Sequence, residues 1–240
     1  MSESSARTPY VDGRLEELAS TYDLDGTAVD ALAVLVEVFA TDPHAATTIR
    51  EPDDVIDRHI ADALTGLEIA GLSEAETVVD VGAGAGVPAL VLAAARPDCQ
   101  VVALDTVRKK TEWVTACAER MGLANVRGEH GRAESWKAGM GKMDVMTARA
   151  VAPLGVLIEY ASPLLHDDGL LVAWKGALDA EEWSTGLRVA KRMRMTKPAV
   201  VDVQPWPDAR ERRLVLSYKD GKTPKGFPRG EGLARRKPLT

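Results

Sequence analysis

The chain has 240 residues, of which 45% are hydrophobic, and a formal net charge of −6. This length allows one sizeable α/β core with an accessory segment. No apolar run approaches the ~20 residues of a membrane-spanning helix and no secretory signal is visible, so we expect a cytoplasmic protein without a membrane anchor. The two cysteines, Cys99 and Cys117, lack metal-binding or redox spacing, which predicts reduced packing residues and no metal site.

Charge is distributed unevenly along the chain. Residues 186–240 contain 15 Lys and Arg against 5 Asp and Glu, a balance of +10, so the remainder carries −16. The overall negative balance argues against a general nucleic-acid binder, whereas a basic C-terminal region indicates contact with phosphate groups. A solvated tail and helix face is the alternative interpretation.

The N-terminal part of the chain is predicted to be helical. Residues 1–10 are expected to be disordered, residues 11–40 to form two helices, and residues 53–71 to form a third helix with apolar side chains at helical spacing. Residues 1–75 are therefore predicted to form a helical cap that has no obvious core of its own.

From Thr77 onward, strand-like apolar runs alternate with helical segments. Strands are predicted at 77–81, 100–104, 125–129, 143–148, 169–175, 198–204 and 212–218, and helices at 88–95, 107–121, 153–164 and 179–193. This alternation predicts an α/β fold over residues 76–218, with a seven-stranded, mostly parallel sheet whose last two strands form an antiparallel hairpin. Residues 219–240 lack periodicity and are predicted to be a basic tail.

The most specific motif stands at the end of the first predicted strand and reads Asp80-Val-Gly82-Ala-Gly84-Ala-Gly86-Val-Pro88. A second acid, Asp105, ends the next strand. A dinucleotide fingerprint would place the third glycine one residue later, where this chain has Val87. The pattern therefore favours a Rossmann-like fold that binds S-adenosylmethionine (SAM), over NAD or another nucleotide and over a ligand-free glycine turn.

The cofactor is expected beyond the carboxyl ends of the strands, where parallel sheets bind ligands. Asp80 is predicted to receive hydrogen bonds from the amino group of SAM, directly or through water, or alternatively to hold the glycine turn. Asp105 suits the ribose hydroxyls, and the backbone after the third strand suits the adenine edge. The predicted cofactor-binding residues are Asp80, Gly82, Gly84, Gly86, Asp105, Thr106, Ala133, Glu134 and Arg149.

The methyl-acceptor side is predicted after the fourth and fifth strands. Arg149 follows the fourth strand, and its guanidinium suits a phosphate or the O6/N7 edge of guanine, unless it only pairs with an acid. Lys175 ends the fifth strand, and its alternative is a surface lysine. His59 lies on the third predicted helix, three residues before Asp62, and a purely structural role is its alternative. The predicted catalytic residues are Arg149, Lys175 and His59.

Several motifs occur together and in order. They are Arg58-His59-Ile60-Ala61-Asp62, the Asp80–Pro88 motif, Asp105 with Arg108-Lys109-Lys110, Gly122-Leu123-Ala-Asn125-Val126, Arg132-Ala133-Glu134, 148–154, Pro163-Leu164-Leu165, Lys175-Gly176, and 227–229 with 237–239. From about Asp53 to the end, the chain resembles the ribosomal RNA small subunit methyltransferase G family, also called glucose-inhibited division protein B.

The resemblance implies transfer of a methyl group from SAM to N7 of a guanine in 16S rRNA. It implies the small ribosomal subunit as partner, and nothing in the sequence indicates more than a monomer. Two other functions stay open: a SAM-dependent methyltransferase of a small molecule or protein, and a ribosome-binding protein that keeps the SAM fold without catalysis.

Overall fold

The computed structural model describes residues 7–240, so the predicted disorder of residues 1–6 lies outside the described residues. The remainder of that prediction is wrong, because helix α1 (Pro9–Tyr22) begins directly after Thr8. The Thr8 hydroxyl accepts a hydrogen bond of 3.1 Å from the Val11 amide, and Pro9 occupies the first turn, where its missing amide hydrogen costs nothing. Helix α2 (Gly26–Thr41) is capped in the same way by Asp25.

The helix predicted over residues 53–71 is instead a series of short segments. They are α3 (Pro52–Val55), a π-helical turn (Ile56–Ala61), α4 (Asp62–Leu64), a 3₁₀ turn (Thr65–Glu68) and α5 (Ala70–Ser73). Apolar spacing predicts that a helix face is buried, but it does not distinguish an α-turn from a wider π-turn. Such π-turns are rare and occur frequently at functional sites.

Seven strands form one sheet in the order β3-β2-β1-β4-β5-β7-β6. The strands are β1 (Thr77–Val81), β2 (Gln100–Asp105), β3 (Val126–His130), β4 (Met143–Arg149), β5 (Leu165–Lys175), β6 (Ala199–Asp202) and β7 (Arg213–Tyr218). β1 to β5 run parallel, and β7 pairs antiparallel with both β5 and β6, as the predicted hairpin requires. The β5 strand begins at Leu165, earlier than predicted, and its register with β4 shifts between Met143 and Val145.

Two hydrophobic layers cover the sheet. The helices that follow the strands are α6 (Ala89–Ala95), α7 (Arg108–Arg120), α8 (Leu154–Leu164) and α9 (Ala180–Arg192). One layer joins the N-terminal helices with α6 and α7, and the other contains α8 and α9. Neighbouring strand residues alternate between layers, so Val78 faces the first and Val79 the second. The N-terminal helices therefore share their core with the sheet.

Arg14 joins the N-terminal helices to the far end of the chain. Its buried guanidinium donates a hydrogen bond of 2.9 Å to Asp57 of the π-helical turn. It donates another, of 2.8 Å, to the backbone carbonyl of Pro205 in the loop between β6 and β7. The first helix is thus fastened both to the π-turn and to that loop.

The C-terminal segment packs against the sheet domain, although the sequence predicted a tail. The Arg229 guanidinium donates two hydrogen bonds of 2.6 Å to Glu159 of α8. A short helix, α10 (Leu233–Arg236), follows, and Ala234 and Leu239 are buried. Because an aperiodic sequence gives no packing signal, this long-range placement could not be predicted.

Both cysteines are buried with free thiols. Burial raises the pKa of Cys99 to about 11 and that of Cys117 to about 12, which keeps both thiols protonated and poorly reactive. Within residues 7–240, no cluster of three or more His, Cys, Asp or Glu side chains is arranged for a metal ion. None of the helices in that range has the length and apolar character needed to cross a bilayer.

Candidate active site

Two cavities lie next to each other at the carboxyl ends of the parallel strands. The first cavity, of about 320 Å³, lies beyond β1, β2 and β3. The second cavity, of about 500 Å³, lies beyond β4 and β5 and is bordered by the π-helical turn. Ala150 and Val151, which directly follow β4, line both cavities. This short segment is therefore a wall shared by two binding spaces.

The predicted site residues divide between the two cavities. The first cavity is lined by Gly82, Asp105, Thr106, Ala133 and Glu134. The second is lined by Arg149, Lys175 and His59. Asp80, Gly84 and Gly86 line neither cavity. The sequence predicts these residues at the carboxyl ends of the strands, but it could not separate those in the cavity walls from those behind them.

The glycine loop adopts the left-handed backbone conformations that its sequence predicts, with φ of 74° at Gly82 and 58° at Gly84. The Gly82 amide donates a hydrogen bond of 2.7 Å to the Leu104 carbonyl, which closes the loop against β2. A Cβ atom on Gly82 would lie 2.7 Å from the Val151 side chain, whereas one on Gly84 would have no neighbour closer than 3.7 Å. The close approach of the loop to the shared wall therefore depends on Gly82.

Asp105 holds the glycine loop in place. One carboxylate oxygen accepts a hydrogen bond of 3.0 Å from the Gly84 amide, and the other accepts one of 2.9 Å from the Val107 amide. The loop-holding role considered for Asp80 is thus performed by Asp105. Each oxygen keeps a second lone pair, so the carboxylate can still accept from a ribose hydroxyl.

Asp80 is buried, with 1% of its surface exposed, and its carboxylate is only half satisfied. The Thr147 hydroxyl donates a hydrogen bond of 3.1 Å to Oδ1, while Oδ2 has no hydrogen-bond partner among the described residues. Burial raises the pKa of Asp80 to about 7, against the opposing effects of the Thr147 hydroxyl, the Ala89 amide and the Arg149 charge. An unpaired buried acceptor beside the glycine loop suits a ligand that carries an amino group.

The C-terminal segment also borders the first cavity. The Glu134 carboxylate accepts a hydrogen bond of 2.9 Å from the Gly232 amide. Arg235 lines the cavity, and its guanidinium donates to the Val151 carbonyl of the shared wall. Arg235 could not be predicted as a site residue, because nothing in an aperiodic basic segment indicates which of its cations returns to the site.

The first cavity fits SAM on the basis of these observations. Asp105 lies in the cavity wall and offers lone pairs for ribose hydroxyls. Asp80 lies behind the wall, next to the cavity-lining Val81, and keeps an unpaired acceptor there. The Gly82 backbone leaves room for a ligand to lie against the loop, as dinucleotide and SAM folds require.

Arg149 is held rigidly in the wall of the second cavity. One terminal nitrogen donates two hydrogen bonds of 3.0 Å, to the Asp62 carboxylate and to the Arg58 carbonyl. The other terminal nitrogen donates a hydrogen bond of 2.7 Å to His59. An ion pair with an acid was the alternative considered for Arg149, and the structure contains that pair. The Nε hydrogen and one terminal hydrogen are not used by these contacts.

His59 lies behind Arg149 and is neutral. Its Nδ1 accepts from Arg149, which has only donors, so the ring proton is on Nε2, 2.8 Å from the Thr47 hydroxyl. Burial and the charges of Arg149 and Arg58 lower the pKa of His59 to about 3. With both ring nitrogens engaged by the protein, this histidine positions the guanidinium of Arg149.

Lys175 is neutralised by a partner on α9. Its ammonium lies 2.5 Å from the Glu182 carboxylate and donates a hydrogen bond of 3.3 Å to the Ala152 carbonyl. Glu182 also accepts a hydrogen bond of 2.8 Å from the Leu154 amide. Lys175 therefore fixes the chain that continues from the shared wall.

Arg212 is a cation of the second cavity that sequence analysis did not select. Its guanidinium carbon lies 5.1 Å from the centre of the Trp206 ring, and its Nε lies 3.9 Å from an Asp62 oxygen. The available signals were the Pro205-Trp-Pro207 loop and the basic C-terminal region, but neither distinguishes Arg212 from its charged neighbours.

Comparison with known proteins identifies the family. A sequence profile described as "GidB: rRNA small subunit methyltransferase G" matches residues 40–204. The chain is 37% identical over 199 residues to ribosomal RNA small subunit methyltransferase G of Deinococcus radiodurans, covering 80% of this chain and 78% of that protein. It is 39% identical over 198 residues to that of Deinococcus deserti, covering 80% of each. The chain belongs to the rRNA small subunit methyltransferase G family.

Family membership makes the chain an enzyme, a methyltransferase with SAM as its cofactor. The matched region begins at residue 40, earlier than the resemblance seen from Asp53 onward. It ends at residue 204, so the motifs after Phe227 lie beyond the family profile.

Similar solved structures confirm the Rossmann-like fold. A SAM-dependent O-methyltransferase from Thermotoga maritima matches with a TM-score of 0.57 and 15% identity, covering 72% of each chain. A ribosomal protein L11 methylase from Lactobacillus delbrueckii subsp. bulgaricus matches with a TM-score of 0.54 and 18% identity, covering 75% of this chain and 84% of the other. At these identities the likeness concerns the fold alone.

Proposed function

We propose that the chain transfers a methyl group from SAM to N7 of a guanine in 16S rRNA of the small ribosomal subunit, as a cytoplasmic monomer. The observation that carries this proposal is the pair of cavities with a common wall at Ala150 and Val151. One cavity is lined by Asp105, whose carboxylate can accept from ribose hydroxyls, and the other presents a fixed guanidinium. Such an arrangement brings a methyl donor and a base together at one boundary.

Among residues 7–240, the imidazole and the carboxylate that line the second cavity, His59 and Asp62, are both engaged by Arg149, which agrees with attack by guanine N7. This nitrogen carries a free lone pair and no proton, so no residue needs to remove one. SAM supplies the electrophilic methyl group, and the protein has to align the three reacting centres, which is catalysis by positioning. His59, with its pKa lowered to about 3 and both nitrogens engaged, is suited to hold Arg149 still rather than to exchange protons.

Arg149 is proposed to recognise the guanine through O6. A hydrogen bond donated to N7 would occupy the lone pair that must attack, whereas a donor directed at O6 leaves that pair free. Two hydrogens of the Arg149 guanidinium are not used in its contacts with Asp62, Arg58 and His59. These hydrogens are the ones available to a bound base.

Ion pairs keep the second cavity compatible with the charge that develops on the purine. Methyl transfer makes the base positive, and an unpaired cation beside it would oppose the reaction. Asp62 lies 3.0 Å from Arg149, and Glu182 lies 2.5 Å from Lys175. Both predicted catalytic cations are therefore locally balanced while they keep their hydrogen-bonding geometry.

The proposal also assigns a role to each part of the chain. Residues 76–218 bind SAM and the target base, residues 1–75 form a helical cap over the second cavity, and residues 219–240 add positive charge that favours RNA. The +10 balance of residues 186–240 supports this assignment, because RNA binding depends on contacts with phosphate.

The direct test is methyl transfer from labelled SAM to small ribosomal subunits, and separately to their free RNA, from cells that lack this protein. Cleavage at N7-methylguanine then maps the label. One labelled guanine in 16S rRNA, with transfer that weakens steeply as salt rises, is the expected result. An Asp80→Asn variant is the control, because it should lose SAM binding while the RNA surface stays intact.

Other outcomes point to the other functions. SAM binding without label on RNA, together with label on a small molecule or protein and little effect of salt, would identify a different substrate. Binding to small subunits without any methyl transfer would identify a non-catalytic ribosome-binding protein.

A further inference from the structure

The cations in the wall of the second cavity differ in how they are partnered. Arg149 and Lys175 have short ion pairs, with Asp62 and Glu182, and Arg213 at the start of β7 pairs with Asp202 at 2.9 Å. Their charges are therefore already neutralised inside the protein. A ligand anion entering the cavity would have to compete with these carboxylates.

Arg212 is partnered far more weakly than these three, and Arg58, the fifth cation of the wall, has only an exposed contact of 3.7 Å with Asp54. The contact of Arg212 with Asp62 is 3.9 Å long, beyond hydrogen-bond range, and the Arg212 guanidinium makes no hydrogen bond to any residue in the range 7–240. Its Nε is buried and unsatisfied, although the side chain as a whole is 35% exposed. A buried donor without a partner in a cavity wall indicates a position that a ligand acceptor can fill.

The local charge balance indicates the sign of that ligand. The single Asp62 carboxylate lies between two guanidinium groups, with Arg149 at 3.0 Å and Arg212 at 3.9 Å. Two positive charges share one negative charge, which leaves a net positive charge at this corner of the cavity. An anionic group is therefore the complementary occupant.

The guanidinium of Arg212 is also positioned in advance. It lies over the Trp206 ring, and the Gln204 side chain donates hydrogen bonds of 2.8 and 2.9 Å to the carbonyls of Trp206 and Pro207. The Arg212 carbonyl accepts a hydrogen bond of 3.0 Å from the Val203 amide, which closes the base of the loop. A guanidinium stacked in this way loses little further freedom when it binds an anion.

We propose that Arg212, stacked on Trp206, binds a phosphate group of the RNA next to the guanine that enters the second cavity. The inference rests on the proposed function, because it takes RNA as the substrate. A planar guanidinium presents parallel donors that match phosphate oxygens. The bound phosphate would supply the missing negative charge, so the purine beside it would not face an unbalanced cation.

The test compares Arg212→Gln with Arg210→Gln. Arg210 lies in the same loop with the same charge, but it is exposed and does not line the cavity. We expect Arg212→Gln to raise KM for unmethylated small subunits about tenfold, the effect of losing a charge-assisted hydrogen bond, and to leave KM for SAM within about twofold. The slope of log KM against log salt should decrease by about 0.7 to 0.9, the value for one lost phosphate contact. Arg210→Gln should match the unsubstituted chain.

A conservative variant separates this role from a structural one. Arg212→Lys keeps the charge but lacks the planar group that stacks on Trp206, so its KM should lie between those of the unsubstituted chain and Arg212→Gln. Affinity for SAM and thermal unfolding, measured for every variant, report whether the fold is retained.

The two proposals fail in different ways. If the unsubstituted chain labels no RNA, the proposed function is overturned, and filter binding of the same subunits then provides the comparison between the Arg212 and Arg210 variants. The proposed phosphate site is overturned if those two variants have equal KM values or binding constants and equal salt slopes. This holds whether or not methyl transfer occurs.

Discussion

The side chain of Asp62 lies between the Arg149 and Arg212 guanidinium groups, and its backbone carbonyl accepts a hydrogen bond of 2.8 Å from the Trp174 indole. The sequence placed Asp62 on one side of a helix with His59, and it placed Arg149 at a strand end. It could not show that they meet, because 87 positions separate Asp62 from Arg149 and no local pattern records a contact of that range.

The neutral state of His59 gives a pH-dependent stability. Its folded-state pKa of about 3 lies below the ordinary value of 6.5, so the unfolded chain takes up a proton that the folded chain does not. The free energy of unfolding should therefore fall as the pH falls below 6.5, by up to about 1.4 kcal/mol per pH unit. An Asn side chain can make similar hydrogen bonds without titrating.

We expect the stability advantage of the unsubstituted chain over His59→Asn to shrink by about 2 kcal/mol between pH 7 and pH 5. Urea unfolding at pH 7, 6 and 5 measures this difference, and other titrating groups cancel because both chains share them. An advantage that stays constant over this range would contradict a neutral His59.

Asp80 gives a pH dependence to cofactor binding. Burial raises its pKa to about 7 in the ligand-free chain, whereas an amino group binds best to the ionised carboxylate. The affinity for SAM should therefore fall as the pH is lowered from 7 to 5.5, by up to about tenfold per pH unit. Calorimetric titration of SAM at several pH values measures this affinity.

The control is Asp80→Asn, in which SAM binding should be weak and independent of pH over this range. An equal pH dependence in that variant would mean that another group causes it.

At the scale of elements, the alternation of strands and helices after Thr77 could be predicted closely. Most strands carry an apolar run, and the connections carry glycine, proline or polar residues, so the strand pattern and the turn signals agree. The exception is β3 (Val126–His130), which has a single apolar residue. The segment 52–68 differs because its buried positions keep helical spacing through a π-turn. The Arg149 guanidinium donates a hydrogen bond to the Arg58 carbonyl inside that turn, a long-range contact that local spacing does not record.

The glycine loop allows a matched pair of substitutions. Gly82→Ala and Gly84→Ala each place an alanine at positive φ, which costs about 1–2 kcal/mol. Only the first also forces a methyl group to within 2.7 Å of Val151 in the shared wall. We expect Gly82→Ala to weaken SAM binding by tenfold or more, because a clash costing more than about 1.4 kcal/mol lowers affinity by that factor. Gly84→Ala should retain SAM binding within about threefold.

SAM titration with thermal unfolding of both variants tests this prediction. Both variants should unfold below the unsubstituted chain, because the backbone strain is shared, and Gly82→Ala should unfold lowest and lose SAM affinity, because only its methyl group meets Val151. Equal affinities would mean that the wall moves freely and does not shape the first cavity.

At the scale of the whole molecule, the C-terminal segment is part of the site although its sequence is aperiodic. Its anchor is the pair between Arg229 and Glu159, and the Glu159 side chain is 2% exposed. Beyond this anchor, Arg235 reaches the first cavity. Composition indicated a basic region, but the position of one buried acid on α8 decides where that region lies.

Breaking this anchor should destabilise the chain and loosen the first cavity. Arg229→Ala leaves the Glu159 carboxylate buried without its partner, which should lower the free energy of unfolding by about 3–5 kcal/mol. SAM affinity should also fall, because Arg235 loses its fixed position. Urea unfolding and SAM titration measure both effects.

The control is Lys225→Ala, which removes an exposed cation from the same segment and should change neither quantity. A double variant, Glu159→Met with Arg229→Met, should recover most of the lost stability, because it buries no unpaired charge. Failure of the double variant to recover would mean that packing of the segment, rather than the ion pair, dominates.

The hydrogen bond from Arg14 to the Pro205 carbonyl has a consequence for how the chain folds while it is being synthesised. The two residues are 191 positions apart, so α1 leaves the ribosome long before the loop that completes its contacts has been synthesised. During that interval the Arg14 guanidinium lacks one of its acceptors. The contacts of α1 are therefore expected to be completed only after the final two strands emerge, and distant contacts of this kind slow folding.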